Sequence, residues 1–131
     1  MKKKFFIIVF FVFFSFITPN KSNAYSSDPK QFIAEIVSEA KKILVETNSQ
    51  EFKTQKLSEM ALKTVDIKGI GYYTLGNYRK QLSDDQMKTY SVLFEKYFLK
   101  SFTSRLTDYS EPKIDVLSAE ILNPKYTIVK S

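Results

Sequence analysis

Residues 66–109 read DIKGIGYYTLGNYRKQLSDDQMKTYSVLFEKYFLKSFTSRLTDY, and the punctuation of this stretch decides the fold class. Ser83-Asp84-Asp85-Gln86 is a strong helix start. It offers a Ser cap, acids in the first turn and Gln three residues on. Met87, Tyr90, Phe94, Phe98, Phe102 and Tyr109 then follow one another at three- and four-residue steps or multiples, flanked by Leu106. The spacing predicts one long helix reaching about Tyr109, ended by Glu111-Pro112. Upstream, Asp66 can cap a short helix through Ile70, Tyr73 and Thr74. Gly69 and Gly71 weaken that helix by roughly 1 kcal/mol each relative to Ala, so they predict close packing on a neighbouring element. A phosphate cradle would need a preceding strand, and none is predicted here. Leu75-Gly76 reads as a helix end, with Gly76 free to take the left-handed conformation.

Outward toward the N-terminus, two more helices are predicted. Asp28 can cap the first, Pro29 suits its first position, and Gln31 stands where a capping box wants Glu or Gln. Phe32, Ile33, Ile36, Val37, Ala40, Ile43 and Leu44 form its apolar stripe, to about Thr47. Thr47-Asn48-Ser49 is a break and a new cap. The second helix runs from about Gln50 to Thr64, with Phe52, Leu57, Met60, Ala61 and Leu62 on its expected buried side. Outward toward the C-terminus the pattern changes to alternation. Ile114-Asp115-Val116 and Leu117–Leu122 predict one strand, Asn123-Pro124 a turn, and Tyr126–Val129 a second strand. The fold class is therefore α+β: a helical half of about four helices, then two strands.

The chain begins Lys2-Lys3-Lys4, followed by 13 residues from Phe5 to Ile17 that only Ser15 interrupts as a polar group. Pro19-Asn20 breaks the run, and Ser22-Asn23-Ala24 supplies small residues for cleavage. This is the pattern of a secretory signal peptide cut after Ala24. The apolar run falls short of the roughly 20 residues a spanning helix needs. The expected division is residues 1–24 as signal and 25–131 as one domain. The net charge of +6 comes from 20 basic and 14 acidic residues. Four of the lysines lie in the signal, which leaves 16 basic against 14 acidic in the mature chain. The basicity is thus a property of the export signal and gives no case for nucleic acid. Seven of the 12 Phe lie in the signal, whereas all eight Tyr lie beyond it.

The sequence has no Cys and no His. Disulfides and thiolate metal sites are excluded, and the commonest general base and metal ligand are missing. The usual nucleophile–base pairs cannot be assembled. Asp66, Asp84, Asp85 and Asp108 stand at helix ends, where capping and the helix dipole account for them. Neither an enzyme, nor a cofactor, nor a metal is expected. The informative feature is aromatic: Tyr72, Tyr73, Tyr78, Tyr90, Tyr97, Phe94, Phe98 and Phe102 fall within 31 residues. Two readings stand side by side, an ordinary core and an apolar cavity lined by rings with few polar groups.

The stretch Asp66 to Tyr109 resembles the MlaC family, also called the toluene-tolerance auxiliary family of periplasmic phospholipid-binding proteins. The matching residues are Asp66, Tyr73-Thr74-Leu75-Gly76-Asn77-Tyr78-Arg79, Ser83-Asp84-Asp85-Gln86, Tyr90, Phe94, Phe102, Leu106 and Tyr109-Ser110. A weaker similarity extends back to the first helix and forward through Ile114–Ile121. The resemblance implies a soluble carrier in which helices and a twisted sheet enclose phospholipid acyl chains. It implies passage of lipid between an outer-membrane lipoprotein complex and an inner-membrane ABC transporter. On this resemblance Ile70, Tyr73, Tyr78, Tyr90, Phe94, Phe98 and Phe102 are the expected lipid-binding residues.

Members of that family are longer, and further strands complete their sheet. The expectation is therefore a C-terminally truncated domain, poorly stable alone, with its carrier activity at risk. A second reading of a different class is a small exported helical protein that binds another protein through its aromatic face and holds no lipid.

Overall fold

A computed structural model describes residues 24–109 and 111–131. The expected signal peptide, apart from Ala24, lies outside the described residues. Four α-helices and an antiparallel hairpin follow in order: α1 (Pro29–Val45), α2 (Gln50–Thr64), α3 (Ile67–Leu75), α4 (Asp84–Thr107), β1 (Ser118–Asn123) and β2 (Tyr126–Lys130). This is the expected α+β arrangement of a helical half followed by two strands.

Each helix begins at a side-chain cap. Asp28, Ser49, Asp66 and Ser83 accept from the backbone N–H of Gln31, Phe52, Gly69 and Gln86 respectively. Only the last completes the capping box: Gln86 accepts in return from the Ser83 N–H at 2.9 Å. Gln31 does not fill that role. Its amide donates to Glu35 Oε1 at 3.1 Å, one turn ahead, because an acceptor at i+4 is available there. A six-residue 3-10 segment, Gly76–Gln81, joins α3 to α4 and has no counterpart in the sequence reading. The long helix stops at Thr107, two residues short of the expected end.

The core forms where α1, α2 and the end of α4 meet. Ala40, Ile43 and Leu44 of α1 pack with Leu57 and Met60 of α2, with Ile36, Phe102 and Leu106 against them. Leu57 and Ala61 are fully buried. Phe52 and Leu62, expected on the same side, are 40% and 51% exposed. The reason is angular. At about 100° per residue Leu57, Met60, Ala61 and Thr64 share one face, and positions five away from Leu57 in either direction point to the opposite one. Among the described residues Thr103 is the one buried polar residue, and its hydroxyl is satisfied by Leu99 O at 2.8 Å.

Two lysines tie elements together through backbone carbonyls. Lys53 Nζ donates to Leu44 O at 2.7 Å, placing a cation at the C-terminal end of α1. Lys41 Nζ donates to Ile114 O at 2.8 Å, holding the approach to the hairpin on α1. Ile114–Leu117, expected to be strand, is therefore an extended connector: the Ile114 carbonyl serves Lys41, and pairing begins with Leu117 N donating to Lys130 O at 2.8 Å. The hairpin pairs Ser118 with Lys130, Ala119 with Val129, Glu120 with Ile128 and Ile121 with Thr127, and an irregularity follows before Asn123 meets Tyr126. Its turn is closed by Lys125 N donating to Asn123 Oδ1 at 2.9 Å.

Candidate functional site

The four-residue spacing of α4 places its rings in one row. Tyr90 stacks on Phe94 with centroids 5.8 Å apart, Phe94 meets Phe98 at 6.3 Å, and Phe98 stacks on Phe102 at 5.9 Å. Tyr97 flanks the row, 6.5 Å from Phe94. All four rings of the row are half-buried. Phe102 is its inner end, packed on the α1–α2 core. These four expected lipid-binding residues are thus brought together. Successive contacts near 6 Å are within the range in which aromatic pairs attract beyond their burial.

Helix α3 lies across the outer half of the row. Gly71 faces Phe94 so closely that a Cβ there would stand 2.8 Å from the ring's Cδ1. The close packing expected of the two glycines thus holds at Gly71. At Gly69 the near neighbour is the helix's own cap, and a Cβ there would run into the Asp66 carboxylate. Two pairs of hydroxyls flank Gly71: Thr74 Oγ1 with Tyr90 Oη at 2.7 Å, and Tyr72 Oη with Ser91 Oγ at 3.4 Å. Gly76, at the end of α3, has φ +52° and ψ −128°. Its φ is positive as expected, but its ψ lies outside the left-handed helical region, in territory open to glycine.

The other three expected residues stand apart from the row. Ile70 is partly exposed on α3, Tyr73 is 85% exposed, and Tyr78 is exposed on the 3-10 segment. Tyr73 falls two positions beyond Gly71, about 200° round the helix from the face that meets Phe94. Sequence reasoning passed over Tyr72 and Thr74 as partners of α4. The pairs they make span 19 and 16 residues, so no local spacing carries them.

Two cavities formed by described residues lie away from the aromatic row. The larger, of about 850 Å³, is a cleft bounded by Ala24, Tyr25, Glu35, Ser38, Glu39, Lys42 and Lys63. The smaller, of about 240 Å³, lies between Lys41, Val45, Glu111, Pro112 and Lys113. In the charged cleft, Tyr25 is held by its ring edge on Phe32 at 5.6 Å and by its hydroxyl donating to Glu39. Ser26 N donates to Glu35 Oε2 at 2.8 Å. Burial, the bond to Glu39 and the charges of Glu39 and Glu35 push the Tyr25 phenol up to about 12.

Among the described residues no group of acids is arranged to hold a metal ion, and no helix is long and apolar enough to cross a membrane. No curated protein and no solved structure matches the chain. A family model described as MlaC protein matches residues 30–131. That match takes in α1 from Lys30 onward, the whole aromatic row and both strands, and the chain belongs to the MlaC family, a family of periplasmic lipid-binding carriers rather than enzymes.

Proposed function

We propose that the chain is exported to the periplasm and cut after Ala24. Residues 25–131 then carry phospholipid between an outer-membrane lipoprotein complex and an inner-membrane ABC transporter. The observation that carries this reading is the row Tyr90–Phe94–Phe98–Phe102, which offers a continuous apolar track ending against the core. An acyl chain gains about 0.8 kcal/mol for each CH₂ removed from water, so a track several rings long is what such a ligand needs. Reactive groups are not required along it. Ile70, Tyr73 and Tyr78 are the outer contacts in this reading, reached when lipid covers the exposed side of α3. The hairpin adds further exposed apolar side chains in Leu117, Ile121, Leu122, Tyr126 and Ile128.

The test is mass spectrometry of the protein purified from the periplasm. Denatured, the chain should begin at Tyr25. Under native conditions it should carry a mass increment that lipid extraction resolves into phospholipid. Folded protein that carries no phospholipid, and takes none from vesicles, would overturn the carrier reading in favour of an exported protein-binding module.

A further inference from the structure

We infer that the C-terminal half of α3 is a gate over Phe94, latched by a directed hydrogen-bond chain from Tyr90 through Thr74 to the Gly71 carbonyl. The inference rests on the lipid-carrier reading and concerns how the same aromatic row is opened.

The direction of the chain follows from counting protons. Thr74 has one hydroxyl proton, and it goes to Gly71 O at 2.7 Å. The 2.7 Å contact between Thr74 Oγ1 and Tyr90 Oη must then be donated by the tyrosine. On the second flank Ser91 Oγ shares its proton between Met87 O at 2.9 Å and Tyr72 Oη at 3.4 Å. A phenol of each helix thus meets a hydroxyl of the other on either side of the Gly71–Phe94 contact, Tyr90 as donor and Tyr72 as acceptor.

The two ends of α3 are held differently. Its first residue, Ile67, is buried. Its last turn carries exposed Tyr73 and Thr74 and runs into Gly76 at positive φ. Between them Gly71 covers Phe94 without a side chain of its own, so that the backbone alone lies on the ring. The hydroxyl latch holds the two helices together beside that contact. Ile67 is the pivot, Gly76 the yielding end, and Phe94 the ring uncovered. An acyl chain that enters there replaces the backbone of Gly71 on the ring and continues along Phe98 toward Phe102.

The experiment measures transfer of a pyrene-acyl phosphatidylethanolamine from the loaded periplasmic protein to vesicles of phosphatidylethanolamine and phosphatidylglycerol. Thr74→Val removes the middle of the latch and should speed transfer by roughly 3- to 10-fold, the loss expected of one neutral hydrogen bond. Thr74→Ser keeps the hydroxyl and should transfer at the wild-type rate. Tyr90→Phe should match Thr74→Val, and the double variant should be no faster than either, because both remove the same bond between the helices, while the bond to Gly71 O that Thr74→Val also loses lies within α3. Amide hydrogen exchange at Thr74 and Leu75 should rise in the same variants while α2 stays protected. Unchanged transfer by loaded Thr74→Val, a fast Thr74→Ser, or additive effects in the double variant would each overturn the gate and leave the carrier standing. A wild-type protein that takes up no lipid would overturn the carrier and the gate together.

Discussion

The Cα hydrogen of Gly71 points at the ring of Phe94, and there is no room for a methyl group between them: a Cβ would approach Cδ1 to 2.8 Å and Cγ to 3.1 Å. This contact sets how near α3 comes to the aromatic row. Gly71→Ala gains about 1 kcal/mol of helix propensity and loses about 1–3 kcal/mol to overpacking. The expected outcome is net destabilisation by up to about 2 kcal/mol in urea unfolding. Gly69→Ala tests the contrast, because the clash there is with the movable Asp66 carboxylate. Its loss of a cap bond, about 1 kcal/mol, offsets the propensity gain, so the stability of that variant should stay close to wild type.

The correction to the face of α2 is testable with leucines alone. Leu57 is fully buried and Leu62 is half exposed. Leu57→Ala should cost about 3–5 kcal/mol, as core truncations do. Leu62→Ala should stay within about 0.5 kcal/mol of wild type. Equal losses in thermal or urea unfolding would put the buried face of α2 elsewhere.

Along the row, stability and lipid holding should separate with depth. Phe102 packs on the core, whereas Phe98 stacks on its neighbours in the row. Phe102→Ala should cost about 3 kcal/mol in the lipid-free protein. Phe98→Ala should cost less, since Phe98 is not among the residues packed on the α1–α2 core. The lipid retained through purification should fall in Phe98→Ala more than its stability does. A Phe98→Ala protein with wild-type lipid content would return that ring to a purely structural role.

The helical half was legible because its punctuation is local. Asp28, Ser49, Asp66 and Ser83 each cap the helix that follows, and a cap bond spans three residues. The misreadings lie where the third dimension intervenes. Phe52 and Leu62 are apolar, yet only their angle about α2 decides burial. Ile114-Asp115-Val116 alternates like a strand, yet Lys41, 73 residues earlier, takes the Ile114 carbonyl. The spacing of Tyr90, Phe94, Phe98 and Phe102 foretold a row of rings but not whether it lines a chamber or lies open. That depends on α3, and α3 is placed by Gly71, whose missing side chain gives no apolar signal.

Tyr25 gives a pH signature. Its phenol is neutral when it donates to Glu39, and ionisation would bring two negative charges together and break the bond. Its pKa is pushed up from 10.0 to about 12, so its contribution to stability is complete below pH 10 and is lost as pH rises through the folded-state value. Thermal unfolding of wild type should lose stability between pH 10 and 12 relative to Tyr25→Phe, and ultraviolet titration should show one late tyrosine missing from the variant. The α-amino group that processing after Ala24 would create is already neutral across that range. Coincident titration of wild type and variant would remove the Tyr25–Glu39 bond from the account.

The hairpin should govern self-association. Ile121 is 78% exposed and stands across from Thr127, while Leu122, Tyr126 and Ile128 leave further apolar surface in water. A two-stranded sheet has an open backbone edge on each side, and such edges pair with other chains unless charge or cover prevents it. Among the described residues the one ion pair on the hairpin, Lys130 with Glu120 at 3.5 Å, is well exposed and links the two strands to each other, so it shields neither edge. The purified protein is therefore expected to bind a fluorescent apolar dye and to associate as concentration rises. Ile121→Lys adds a charge at the most exposed apolar strand position without touching the helical core, so it should lower both dye binding and association while the α-helical signal and its melting midpoint hold. If the exposed hairpin is instead inert, wild type and Ile121→Lys will sediment alike as monomers across the concentration series, and the apolar surface available to the dye will have to be sought on the α3–α4 face, where Phe98→Ala should then be the variant that reduces it.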